Sequence, residues 1–296
     1  MSAFLVLGAG PIGRAAAAAL LDLGHEVSVG TRSGTRVPGT TALTIDAADT
    51  PALTSAAQGM DAMIICTSPP YHRWPVEWPP IIRSAISAAK ASGARIVLMS
   101  NLYSYGKPAG RITDATPTAP TESKGRTRAE LWDLLLAAHR AAGIGVTELR
   151  ASDYFGPDAG PNVHLGSRFL APVRKGKTAS IIGDPDAPHS WSYLPDIGRC
   201  LAILATRPEL SGRPWIGPNS GDASLREIAR RINPQAKVRQ IPGALLAVIG
   251  LFSPMAREVR AIRYQFTEPF LLSDSELRAA FDFTPTPLEQ ALEKAS

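Results

Sequence analysis

Cysteine is nearly absent: the 296 residues carry two, Cys66 and Cys200. They form no CxxC pair, and Cys66 falls inside an apolar strand pattern, AMIIC, where it reads as a small buried hydrophobe. Such usage fits a reducing cytoplasm. The five histidines, His25, His72, His139, His164 and His189, show no HxxxH or HExxH spacing, so no metal site is expected. Long apolar runs are also missing. Ile241 to Phe252 is shorter than the roughly 20 residues a bilayer crossing takes and is interrupted by Pro242, Gly243 and Gly250, so it reads as a buried helix. The opening MSAFLVLGAG lacks a basic lead and a cleavage region and reads as a first strand rather than a secretion signal. Net charge is +5. The cations are scattered without interleaved aromatics, which speaks for a basic surface and against a nucleic-acid interface.

Composition is that of a soluble globular chain, 45% hydrophobic and 19% charged. The first 150 residues alternate apolar runs with helical patterns, the signature of a parallel sheet flanked by helices. Strands are expected at Ala3–Leu7, Glu26–Gly30, Thr41–Ile45, Asp61–Cys66, Arg95–Ser100 and Gly145–Arg150. Helices are expected at Pro11–Leu23, Pro51–Gln58, Pro79–Ser92 and Glu122–Ala142, the last stopped by Gly143. The fold class is α/β: a Rossmann-type doubly wound parallel sheet with a smaller C-terminal substrate domain. Residues 1–155 are expected to form the dinucleotide-binding domain, joined by a returning segment near 189–218, with 156–188 and 219–296 forming the smaller region. There, Ser224 with Glu227, Ser273 with Glu276 and Thr286 with Glu289 each match a capping box, and Asn233-Pro234 closes the first helix. Asp196 fits a helix N-cap.

FLVLGAGPIGRAAAAALLDLGHEV places Gly8, Gly10 and Gly13 between a strand and an alanine-rich helix, as a dinucleotide fingerprint requires. Gly8 permits the tight turn, Gly10 lets backbone approach a pyrophosphate, and Gly13 lets helix and strand pack closely. Pro11 and Ile12 open the helix whose N-terminal amides face the anion. The second strand ends in Gly30-Thr31-Arg32-Ser33, with Arg36 close behind and no carboxylate for ribose hydroxyls. Arg32 can stack on adenine and bond a 2′-phosphate, with Thr31 and Ser33 adding hydroxyls, so the cofactor expected is NADP, with NAD the alternative. Asp46 is placed either to accept from the adenine amino group or as a plain turn aspartate. Thr67, Ser68 and Pro69 follow the fourth strand at the cofactor edge.

RIVLMSNLYSYGKP, the helix bearing KGRTR, ELRASDYFGP, HSWSYLPDIGRC and FDFTPTPLEQAL follow in an order that resembles the extended short-chain dehydrogenase/reductase family, which includes the NAD-dependent epimerases and dehydratases. The resemblance runs from residue 3 to about 290. It implies hydride transfer at a nicotinamide, a small-molecule substrate, and a homodimer through a helix pair. Family members carry a serine or threonine four residues before the tyrosine of a VYG-like turn, then Tyr-x-x-x-Lys. Asn101, Lys124 and Arg128 stand at those positions here, and the glycine motif is GxGxxG rather than GxxGxxG. These departures look like the atypical subgroups.

Lys124, one helical turn from Arg128, can stand in for the acid if its pKa is depressed. Arg128 can then hold the ribose, and Asn101 can donate to a substrate carbonyl. The plain alternative is a solvated helix start paired with Glu122 and Glu130. Tyr103, Tyr105 and Tyr154 are further proton donors to weigh, Tyr105 reading rather as packed in its turn and Tyr154 as pocket wall. Pro70-Tyr71-His72-Arg73-Trp74 and Trp78 read as an aromatic loop, walling a substrate pocket or simply packed on the surface. The expected function is an NADPH-dependent reductase of a small carbonyl or conjugated substrate. The alternatives are a non-catalytic NADP(H)-responsive regulatory protein and a sugar-nucleotide epimerase or dehydratase.

Overall fold

Seven strands, all parallel, form the central sheet: β1 (Ala3–Leu7), β2 (Glu26–Thr31), β3 (Thr41–Thr44), β4 (Ala62–Ile65), β5 (Arg95–Asn101), β6 (Val146–Ala151) and, later in the chain, β10 (Pro214–Ile216). Their order is β10-β6-β5-β4-β1-β2-β3. The structure is a computed structural model describing residues 1–161, 163–242, 258 and 261–295. The six strands expected from sequence are all present within a residue at each end, and β10 adds a seventh on the β6 edge. Three residues long, β10 offers too short a pattern to be read locally. The proposed helix over 241–252 lies outside the described residues from 243 onward.

Helices cover both faces because the strands are apolar on both sides. On one face lie α1 (Pro11–Asp22) and α6 (Leu194–Thr206). These two approach so closely that a Cβ on Gly198 would stand 2.4 Å from the Ala15 carbonyl oxygen. On the other lie α2 (Thr50–Ala56), α3 (Trp74–Ser92) and α4 (Ser123–Ala142). Gly143, at φ 66°, ends α4 as expected.

A smaller cluster gathers β7 (Tyr154–Phe155), β9 (His189–Tyr193) and β11 (Gly221–Ala223) in one sheet, and β8 (Thr178–Ile181) with β12 (Lys237–Gln240) in another. Around them pack α5 (Ser167–Arg174), α7 (Leu225–Ile232) and α9 (Leu288–Lys294), with Phe155, Phe169, Trp191 and Ile228 in the core. Helix α8 (Ser275–Phe281) packs instead on the α1/α6 core through Leu277 and Phe281. Among the described residues no helix is long and apolar enough to cross a membrane.

Three of the expected helix caps are displaced. Ser224 and Glu227 do form a capping box on α7, and Asn233 ends that helix. Asp274 rather than Ser273 precedes α8, and Pro287 rather than Thr286 precedes α9. Thr286 is drawn away because its amide and hydroxyl both donate to Asp196. Asp196 in turn is not an N-cap: Tyr193 holds that place, and the Asp196 carboxylate ties the C-terminal segment to α6.

Candidate functional site

The strand order reverses beside β1, whose neighbours are β4 and β2, and the C-terminal ends of β1 and β4 open into a cleft of about 1030 Å³. This is where an open parallel sheet can take a ligand between diverging connections. Gly8 turns the chain out of β1 at φ 109°, where a Cβ would meet the Thr67 amide at 2.8 Å. A Cβ on Gly13 would fall 1.9 Å from the Gly8 carbonyl oxygen, so only glycine lets α1 sit this close to its strand. Gly10 differs: nothing lies within 4 Å of its Cβ position. It is the N-cap of α1 and no side chain caps it, so the first amides of α1, together with Pro11 and Ile12, face the open cleft.

At the β2 end the cleft is lined by Thr31, Arg32, Ser33, Thr35 and Asp46. Arg32 is exposed and pairs with no carboxylate among the described residues. Thr31 Oγ1 accepts from the Thr35 amide at 2.8 Å, and the Ser33 and Thr35 hydroxyls share a bond of 2.8 Å. Asp46 both lines the cleft and holds its own turn, accepting from the Ala48 amide. Arg36 is exposed outside the lining. Thr67 and Ser68 line the cleft beyond β4, with Cys66 beside them. Burial pushes the Cys66 thiol up to about 12, which disfavours its thiolate form.

Where an aromatic loop was expected, Tyr71–Arg73 form a single 3-10 turn and α3 begins at Trp74. Trp74 and Trp78 are buried, Trp74 also lining the cleft and Trp78 not, and between them lies the Arg128 guanidinium, 4.5 and 4.3 Å from the two rings. Arg128 donates to the Met99 carbonyl at 3.3 Å, its Nε has no partner among the described residues, and burial lowers its pKa to about 10. It lines the cleft. Lys124 does not. Its side chain is buried, with Nζ 2.6 Å from Glu258 and 3.2 Å from Glu122. The solvated helix start is therefore corrected: Glu122 caps α4 by accepting from the Lys124 and Gly125 amides, and both cations are interior.

Asn101, Tyr103 and Tyr154 reach the cleft, as does Tyr71. Asn101 Oδ1 accepts from the Tyr103 amide at 3.1 Å, and the Tyr71 and Tyr103 hydroxyls lie 3.0 Å apart. Burial raises the Tyr103 phenol well above its ordinary value and raises Tyr71 and Tyr154 as well. Tyr105 packs in its turn, its hydroxyl accepting from Arg150.

Sequence reasoning missed Ser152, Asp153, Gln265 and Phe270, which also line the cleft. Asp153 pairs with His189 at 3.1 Å. Burial acts to raise the Asp153 carboxyl, but the His189 hydrogen bond and the charges of His189 and His164 outweigh it, leaving it below the ordinary carboxylate value. The aspartate and histidine stand 36 residues apart, so no local pattern joins them. Arg73 was read as part of a loop and lies on the lining paired with Glu77.

The sequence model of the NAD dependent epimerase/dehydratase family matches residues 4–216. The chain belongs to this family. No curated protein sequence matches it. Solved structures of similar fold include a UDP-glucose 4-epimerase from Thermotoga maritima with UDP-glucose, 14% identical, covering 99% of this chain and 97% of that one at a TM-score of 0.80. Pal from Bacillus thuringiensis is 15% identical over 99% and 97% of the two chains, TM-score 0.79. A dTDP-glucose 4,6-dehydratase from Bacillus anthracis in complex with NAD is 14% identical over 100% and 95%, TM-score 0.79. At such identities the likeness is one of fold. Within the family this chain keeps the glycine turn and carries Asn101, Lys124 and Arg128 where the resemblance places serine or threonine, tyrosine and lysine.

Proposed function

We propose that the cleft binds a nicotinamide dinucleotide, NADP in preference to NAD, and that the protein reduces a small carbonyl or conjugated substrate. Arg32 carries the proposal: a guanidinium at the tip of β2, on the cleft lining, paired with no carboxylate among the described residues, on a strand that itself ends without the carboxylate that would hold ribose hydroxyls. Its planar donors suit a 2′-phosphate, and the Ser33 and Thr35 hydroxyls stand beside it. The residues present also fit the rest of the cofactor. The uncapped α1 amides and the open space at Gly10 suit a pyrophosphate, and the family's solved relatives include a dehydratase with NAD.

When bound, the dihydronicotinamide would supply hydride. Arg128 would hold the ribose from its slot between the two indoles, and the Asn101 amide nitrogen would donate to a substrate oxygen. Lys124 has no part in this reading, because its ammonium is bound by two carboxylates. That same burial favours a second reading, a protein that binds NADP(H) and signals its state without chemistry. Sugar-nucleotide conversion rests on the fold relatives alone.

Calorimetry with NADPH and NADH tests the cofactor. NADPH should bind at least about tenfold more tightly, and Arg32→Asp should reverse the order; an unchanged preference sinks the assignment. NADPH oxidation by small aldehydes, ketones and quinones tests the reductase reading. Absence of turnover across that set, together with a partner whose affinity changes with the cofactor, would establish the regulatory one.

A further inference from the structure

Where β6 ends, the chain turns a carboxylate into the cleft. The Asp153 side chain is 26% exposed and lines the cleft, and the Ser192 amide of β9 fixes its backbone by donating to the Asp153 carbonyl oxygen at 3.1 Å. His189 Nε2 lies 3.1 Å from Asp153 Oδ2. Trp191, Phe266 and Phe270 pack around the imidazole at centroid distances of 4.6, 5.5 and 5.8 Å, so the carboxylate rests against a fixed ring. Burial acts to raise its pKa, but the effects led by the His189 hydrogen bond hold it below the ordinary carboxylate value. At neutral pH Asp153 is therefore an anion that only accepts.

Its acceptors are largely unused. A carboxylate has about four lone-pair sites, and His189 takes one. Among the described residues no other side chain donates to Asp153, and no lysine or arginine pairs with it. Asn101 stands beside it: β5 and β6 pair Asn101 with Ala151, two residues before Asp153, and both side chains line the cleft. Neighbouring strands lie about 5 Å apart, so one small molecule can touch both. Asn101 Oδ1 already accepts from the Tyr103 amide, which leaves the Asn101 amide nitrogen to donate.

We propose that Asp153 is a specificity residue: its carboxylate accepts a hydrogen bond from a hydroxyl or ammonium group beside the substrate carbonyl, and turns away carbonyl compounds that carry an anion there. The proposal rests on the reading of the cleft as a reductase site for small carbonyl compounds. Asp153 has no bond to offer the carbonyl oxygen itself, which falls to Asn101. A carboxylate or phosphate placed against Asp153 would meet like charge with no cation beside it, and a plain alkyl group would leave the anion partly desolvated and unpaired. A donor satisfies it. Burial raises the phenols of Tyr71, Tyr103 and Tyr154, and the Asp153 charge adds to the rise in each, so these neighbours remain protonated and Asp153 is the anion of this wall.

Four phenyl ketones that differ in one group decide it: α-hydroxyacetophenone, α-aminoacetophenone, acetophenone and benzoylformate. Their binding is measured by NMR titration at neutral pH, on cofactor-free protein and with NADP+, which cannot reduce them. The hydroxy or the amino ketone should bind at least about tenfold more tightly than acetophenone, and benzoylformate should bind most weakly. Whichever donor binds tighter identifies the group as hydroxyl or ammonium. Asp153→Asn brings an amide that can donate to an anion, so benzoylformate should gain at least about tenfold relative to α-hydroxyacetophenone. Acetophenone and NADPH affinities should stay within about twofold, which a general loss of structure would not allow. Benzoylformate binding as tightly as both donor-bearing ketones in the wild type, or acetophenone doing so, overturns the proposal without any variant being needed. An unchanged order in Asp153→Asn overturns it too. Failure to bind NADPH, or the expected order of ligands without NADPH oxidation, would instead count against the reductase reading, and the order on cofactor-free protein would still judge Asp153.

Discussion

The Lys124 ammonium lies 2.6 Å from the Glu258 carboxylate, a contact 134 residues long in sequence that fastens the start of α4 to the far end of the chain. It also donates to the Glu258 carbonyl oxygen at 3.1 Å. The residue standing where the family resemblance places its tyrosine is thereby turned to a structural task.

Lys124→Met separates that task from catalysis. The substitution keeps the length of the side chain but leaves Glu122 and Glu258 without their cation. Glu122 keeps its bonds to two amides and Glu258 is partly solvated, so the expected loss is about 1–3 kcal/mol rather than the full penalty of an isolated buried charge. Urea unfolding should show a lower midpoint, while NADPH affinity stays within about twofold. A stability equal to that of the wild type would mean the pair contributes nothing.

Arg128 answers to a different physics. Its guanidinium fills the space between the Trp74 and Trp78 rings, and flatness matters there as much as charge. Arg128→Lys keeps the charge and loses the stacked plane, so unfolding followed by tryptophan fluorescence should show a loss of about 1–2 kcal/mol. Dinucleotide affinity should fall with it, because the residue also lines the cleft.

What could be read from the chain was local, and what escaped was not. The six strands, the glycine turn and the Gly143 stop follow from short patterns that neighbouring residues impose on themselves. The start of α3 did not, because Pro75, Pro79 and Pro80 crowd WPVEWPP and resemble a loop. Pro75 costs nothing in a first turn, and the buried faces of Trp74 and Trp78 carry the helix past the other two. Likewise Thr286 reads as a cap until Asp196, 90 residues earlier, claims its amide. Burial of Lys124 and the meeting of Asp153 with His189 depend on chain closure in the same way. The cofactor end of the cleft was thus more legible than the end where chemistry is proposed.

Acid sensitivity should trace in part to Asp222. Burial acts to raise this carboxyl, but hydrogen bonds from Ser190, Arg111 and Asn219 together hold it below its ordinary value of 3.8. A depressed folded-state pKa means the stabilisation is full above that ordinary value and is lost as pH falls through the folded one. Asp222→Asn should therefore be less stable at pH 7, by about 1–3 kcal/mol. The gap from the wild type should close as the pH falls below that ordinary value and through the folded one. A gap independent of pH would assign the loss to packing instead of charge.

The glycine turn gives the sharpest test of the cleft as a binding site. Gly13→Ala adds one methyl group, and it would stand 1.9 Å from the Gly8 carbonyl oxygen. Neither partner can yield cheaply, since both belong to backbone held by β1 and α1, so α1 must shift outward. Overpacking of this kind costs about 1–3 kcal/mol, and the shift moves the α1 amides away from any bound anion. Gly10→Ala has open space around its new Cβ, so it should keep wild-type stability while its methyl group intrudes on the ligand. Both variants should therefore lose NADPH affinity in calorimetry, but only Gly13→Ala should unfold at lower urea. Equal affinity in Gly10→Ala would place the anion elsewhere than against the start of α1.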